Sequence, residues 1–293
     1  MEILVEIGTP ENKEKIREEL MSFLSIFSRA DDALDISKVI VPVDFDAKVN
    51  ELQGTSDYQS NKGTVAALAT NVKLVDGDAI ILSPLLYTSA YCDGQVRLYI
   101  SLHEITHTFN RNLFPKISTD SASQRIYLEN LYTLFDEYVA DRFALEIFDD
   151  AISTKTVQWN RFIREFAEAF CALINDRKYL TKIRTETGSF RQHADGALFL
   201  KNIQQDFRSV AIGINRAFAI IDHDPQILPL SDLMQSQFVN EKTLALMNFF
   251  RAKYQEQVYD MQGAFELMVD FMTNFGMKFE DVPEGLYCHV LDI

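Results

Sequence analysis

A chain of 293 residues that is 47% apolar, 12% aromatic and 24% charged has ordinary globular composition and is long enough for one large core or two smaller ones. The net charge of -15 is uneven: residues 1–150 hold 13 Lys and Arg against 25 Asp and Glu (net -12), and residues 151–293 hold 15 against 18 (net -3). So acidic a first half argues against direct nucleic-acid binding. The longest apolar stretches, "DAIILSPLLYTSAY" and "SVAIGINRAFAII", are broken by Pro84 and Arg216 and fall short of the roughly 20 residues a membrane-spanning helix needs.

The amino terminus, "MEILVEIGTPENKEK", places glutamates inside its short apolar run and has no basic region followed by a long apolar one. It does not read as a secretory signal, and a cytoplasmic location is expected. Residues 11–29 then repeat apolar side chains at Ile16, Leu20, Phe23, Leu24 and Phe27, the period of an amphipathic helix. Strands are expected from "MEILVEI", "SKVIVPVDF", "TVAALATNVKLV" and "DAIILS", with a hairpin at "VDGD", Val75 to Asp78. The first third is therefore mixed α and β.

From Gln95 the pattern turns helical, with Leu98, Leu102, Ile105 and Phe109 on one face. A loop, "NRNLFPKISTD", separates this helix from the next. Ser121 and Gln124 fit a capping box that opens a helix running to about Phe148. Beyond it the chain reads as almost wholly helical and rich in aromatic residues. The expected organisation is α+β: residues 1–150 as one domain and residues 151–293 as a helical region, with a soft boundary between them. The locally basic stretch from Arg177 to Arg191 is expected to be a solvated helix face and loop. Cys92, Cys171 and Cys288 are far apart and form no CxxC pair, so they are expected to be core thiols.

The string "HEITH" is an H-E-x-x-H motif. Residues four apart on a helix lie about 5–6 Å apart between Cβ atoms, so His103 and His107 can converge on one metal ion. Glu104 then sits where it can take a proton from water on that metal, whose pKa a bound zinc lowers to about 7. Ordinary His and Glu usage supplies such a match in on the order of one per cent of chains this long. A third ligand decides its meaning.

The next helix carries "FDEYVADRFALEIF", where Glu137 and Asp141 lie one turn apart on the face of Ala140 and Ala144. Small residues beside an acid pair allow close approach of another helix, as a carboxylate reaching across to an ion requires. Asp141 is placed to accept a hydrogen bond from the free ring nitrogen of a metal-bound histidine. Asp136 and Glu146 are rival ligands on other faces of that helix.

HExxH followed about thirty residues later by E-x-x-A-D-x-F-A resembles the gluzincin-type zinc metallopeptidases, and among them the ImmA/IrrE-like group, over Val96 to Phe148. The resemblance implies zinc held by His103, His107 and Glu137, Glu104 as catalytic glutamate and Asp141 orienting a ligand. It further implies a zincin-like core, in which a small mixed sheet packs on the HExxH helix, and hydrolysis of peptide bonds in a protein substrate. The alternative is a catalytically inactive zincin-like sensor or protein-binding module. His193 and His223 are candidates for stabilising an oxyanion, as are Tyr127, Tyr132 and Tyr138; His289 reads as a surface or capping histidine.

Overall fold

The computed structural model describes residues 1–27, 35–60, 67–193, 196–256, 259–261, 263–283 and 285–291. Two compact units divide it: residues 1–113 with 140–165, and residues 114–139 with 166–293. The described residues are α+β, with most of the chain helical.

The first unit begins with strand β1 (Glu2–Val5), helix α1 (Pro10–Phe27) and strand β2 (Ile36–Val41). Helix α2 (Phe45–Gln53) and strands β3 (Ala69–Leu74) and β4 (Gly77–Leu82) follow. The sheet order is β1-β2-β4-β3, with β1, β2 and β4 parallel and β3 antiparallel to β4 along the edge. The helical crossover between β1 and β2 permits the parallel pairing, whereas the tight turn at Val75–Asp76 requires the antiparallel one. Gly77 closes that turn at φ 123°, where a Cβ would lie 2.6 Å from the Asp35 carbonyl oxygen. Every residue of β4 is buried, as its near-continuous apolar run implies for a strand covered on both faces.

The strand expected over Ser37–Phe45 stops at Val41. Pro42 lacks the amide a ladder needs, and the Asp44 carboxylate accepts from Ala47 N (3.0 Å) as the N-cap of α2. Sequence reading missed that helix. Residues 64–66 of the third expected strand, and residues 28–29 of the first expected helix, lie outside the described residues.

A short helix α3 (Leu85–Thr88) leads to α4 (Gly94–Leu113), which takes the first residues of the expected loop at 110–120. Asp93 fixes the start of α4, its Oδ1 accepting from Gln95 N and Val96 N, both at 3.1 Å. Its Oδ2 accepts from the Thr156 hydroxyl (2.6 Å), which in turn caps α6 (Val157–Asn175) at Trp159 N. One carboxylate thus ties the beginnings of two helices together. Helix α5 (Ala122–Ala151) is continuous, and the division between the units falls within it.

The second unit adds α7 (Lys178–His193), α8 (Gly196–His223), α9 (Leu230–Leu233), α10 (Glu241–Glu256) and α11 (Phe265–Asn274). An antiparallel hairpin of β5 (Met277–Val282) and β6 (Gly285–Val290) follows, where sequence reading expected helix almost throughout. Met277 and Phe279 are buried while Lys278 and Glu280 are exposed, the alternation of a half-covered strand. The unit's core is aromatic: Phe238 stacks on Phe275 at 4.6 Å, with Phe207 and Phe271 against the same ring.

The capping box at Ser121 forms in half. Gln124 N donates to Ser121 Oγ (3.0 Å), but the Gln124 side chain turns to Thr119. Ser121 N donates instead to Thr119 Oγ1 (3.2 Å), and Asp281 of β5 adds to the cap by accepting from Ser121 Oγ (2.5 Å), Ser123 N (3.0 Å) and Ser123 Oγ (2.9 Å). The Ser121 hydroxyl and Ser123 amide hold the Asp281 carboxyl below its usual pKa. A lowered pKa stabilises the fold above the unfolded value of about 3.9 and loses that effect as pH falls through the folded value. Asp281→Ala is therefore expected to lower the melting temperature at pH 7, and the gap from wild type should close in acid. A constant gap from pH 7 to pH 3 would contradict the cap.

Candidate metal centre

Helix α4 is buried on most of its circumference. Leu98, Leu102 and Ile105 form the expected apolar face, yet Ser101, His103, Glu104, Thr106, Thr108 and Asn110 are buried as well. His103 is 5% exposed and Glu104 8%, so the HExxH face is not a solvated surface. Burying an acid and an imidazole among apolar side chains costs free energy unless each is partnered.

The imidazoles of His103 and His107 stand edge to face, with ring centroids 4.6 Å apart and the two Nε2 atoms separated by 3.0 Å. Two nitrogens held tetrahedrally at about 2.0–2.1 Å from one ion lie about 3.3 Å apart. The pair is thus near ligating geometry. A carboxylate oxygen of Glu137 joins them, the three ligand atoms all lying within 4.8 Å of one another. These two imidazoles and one carboxylate could hold a metal ion, and among the described residues they are the only group of three or more His, Cys, Asp or Glu side chains so placed.

Asp141 is fully buried, and its Oδ1 lies 2.7 Å from His103 Nδ1. That contact leaves His103 Nε2 directed at His107, as metal binding needs. Ala140 and Ala144 are also fully buried, in keeping with close packing on this face of α5.

Three further features escaped sequence reading. Tyr99, one turn before His103, donates its hydroxyl to Asp141 Oδ1 at 2.6 Å. Arg111, two turns after His103, donates to Asp78 of β4 and, at 3.0 Å, to Asn71 Oδ1 of β3, while Asn71 Nδ2 donates to Thr108 Oγ1 (2.6 Å). This bracket fixes α4 on the edge pair of the sheet. Burial pushes the Asp78 carboxyl up, and the Arg111 guanidinium opposes it. Tyr58, after α2, is pinned through its backbone by both ends of the Asn50 amide (3.0 and 3.1 Å). Burial, reinforced by the charges of Asp46 and Glu104, pushes its phenol up to about 12. Tyr58 therefore keeps its proton at neutral pH, in the field of Glu104.

The remaining candidates lie elsewhere. Glu146 accepts from Arg142 (2.7 Å), and neither it nor Asp136 joins the metal group. The Tyr127 hydroxyl accepts from Phe279 N (2.7 Å), and the Tyr138 hydroxyl donates to Asp222 (2.7 Å). Tyr132 packs its ring on Phe114. His289 pairs with Glu280 at 2.8 Å, His223 ends α8, and the side chain of His193 lies outside the described residues. Cys92, Cys171 and Cys288 are free and partly buried.

Among the described residues no helix is long and apolar enough to cross a membrane. No family model, curated protein or solved structure matches the chain.

Proposed function

We propose that this chain is a zinc-dependent metallopeptidase of gluzincin type, with a zincin-like core resembling the ImmA/IrrE-like group and a protein substrate. The observation that carries the reading is the convergence of His103, His107 and Glu137 within 4.8 Å beside a buried Glu104. Two imidazoles and a carboxylate are a donor set suited to zinc, with one position left for water or substrate. Bound zinc supplies Lewis acidity and a water acidic enough to lose its proton near pH 7.

The chain's own residues divide the remaining work. Glu104 takes the proton of the attacking water on its carboxylate and passes it to the departing amine. Asp141 holds the His103 ring with Nε2 turned toward His107 and the metal position. A polypeptide substrate is favoured by β3, an edge strand that no other described strand pairs on its outer side. Its row of backbone donors and acceptors suits an extended chain added alongside, and Asn71 of β3 is bonded to Thr108 of the site helix.

Elemental analysis of protein purified without chelator tests the reading. About one equivalent of zinc is expected, and less than about a tenth, with no uptake on addition, would overturn it. Saturating zinc at about a hundred times Kd should stabilise the fold by about 2.7 kcal/mol and raise the melting temperature by roughly 4 °C. His103→Ala should abolish that increment.

A further inference from the structure

We infer that Tyr99 is a positioning residue for the metal centre: its hydroxyl fixes the one oxygen of Asp141 that faces His103, and so sets which ring nitrogen of His103 is presented to the metal. This rests on the metal reading above and extends it to a residue outside the HExxH and ExxAD segments.

Asp141 Oδ1 is shared. It accepts from the Tyr99 hydroxyl at 2.6 Å and lies 2.7 Å from His103 Nδ1. Tyr99 and His103 are four residues apart, hence on one face of α4, and Asp141 on α5 meets them both. The Asp χ2 torsion is a broad, weakly restrained rotation. A second donor on the same oxygen restrains it, because turning the carboxylate away from His103 also breaks a charge-assisted bond in a buried site.

The hydroxyl is itself held. The Tyr99 ring meets Trp159 at 5.4 Å and Phe162 at 5.9 Å between centroids, and Trp159 stacks on Phe148 at 3.9 Å. Tyr99 is 1% exposed, Trp159 2%, and Phe148 and Asp141 are fully buried. Helices α4, α5 and α6 therefore all contribute to where one carboxylate oxygen sits. Oδ1 thus meets the Tyr99 hydroxyl on one side and His103 Nδ1 on the other, a placement that favours the His103 proton on Nδ1 and the lone pair on Nε2, 3.0 Å from Nε2 of His107.

Tyr99→Phe removes the hydroxyl and keeps the ring packing. Its zinc Kd, measured by competition with a chelating indicator, should rise about tenfold, the low end of what loss of a ligand's supporting contact costs. Tyr179→Phe is the control: that hydroxyl also donates to a buried acceptor, the Phe275 carbonyl at 3.1 Å, with no contact to the metal group. It should destabilise the fold and leave the zinc Kd unchanged. Equal zinc affinity in wild type and Tyr99→Phe would overturn the inference while leaving the metal reading intact.

If wild type binds no zinc, the metal reading fails and nitrogen-15 spectra of the imidazoles decide the present point. The His103 proton resident on Nδ1 in wild type, and distributed over both nitrogens in Tyr99→Phe, supports it; identical populations overturn it. Should Tyr99→Phe not fold, the wild-type spectrum alone is decisive, and a proton resident on Nε2 would overturn it.

Discussion

Glu104→Gln is expected to keep the metal and lose hydrolysis by a factor of about 10²–10⁴, the range associated with removing a general base. Glutamine matches glutamate in size, so the buried position, 8% exposed, can be filled without opening a cavity. What it cannot do is take a proton from water. His103, His107 and Glu137 are untouched, and zinc content by elemental analysis should stay at about one equivalent. The readout need not presuppose a substrate: new protein termini are compared in cells carrying wild type or Glu104→Gln. Termini that appear only with wild type identify both the activity and its target. Metal retained in both forms, with no difference in termini and no change in phenotype, would favour the inactive sensor or binding module.

What could be read from the sequence was whatever obeys a short period. His103 and His107 are four apart, Glu137 and Asp141 are four apart, and Leu98, Leu102 and Ile105 follow the helical repeat; each pattern lies within one element and needs no knowledge of the fold. The β3–β4 hairpin was legible for the same reason, since Gly77 supplies a φ of 123° at a tight turn. Local pattern failed where two elements compete for the same letters. The stretch "VPVDF" is apolar enough to extend β2, but Asp44 is more useful as the N-cap of α2, and Phe45 and Val49 are buried from that helix. The β5–β6 hairpin was missed because "FELMVDFMTNF" is helical and the chain reverses character at Gly276, whose φ is 78°.

The supports of the site lay beyond any such pattern. Tyr99 and Asp141 are 42 positions apart, and Arg111 and Asp78 are 33 apart. In the sequence Tyr99 is one more aromatic residue at helical spacing, which is a core residue far more often than a donor to a carboxylate. Only the packing of α4 against α5 turns it into a partner of His103. Asp78 likewise reads as the polar end of a turn. It is the arrival of Arg111 from α4 that makes this buried acid a fixed point for the edge pair of strands.

Glu137→Ala separates the two parts of the metal reading, since the histidine pair alone would still offer two nitrogens 3.0 Å apart. Losing a contact that merely supports a ligand costs roughly 10–100-fold in affinity, and losing a ligand should cost more. We expect zinc affinity to fall by at least about a hundredfold, and the zinc-dependent rise in melting temperature to disappear at metal concentrations that saturate wild type. Glu146→Ala, which removes an acid paired with Arg142, should leave zinc binding within about twofold, since that side chain is outside the group. Asp136→Ala is expected to behave in the same way. If Glu137→Ala binds zinc as tightly as wild type while Asp136→Ala or Glu146→Ala does not, the third ligand comes from another face of α5. The helix would then have to turn by about 100° per residue of offset to present it, and the contact between Asp141 and His103 could not be kept in the same state.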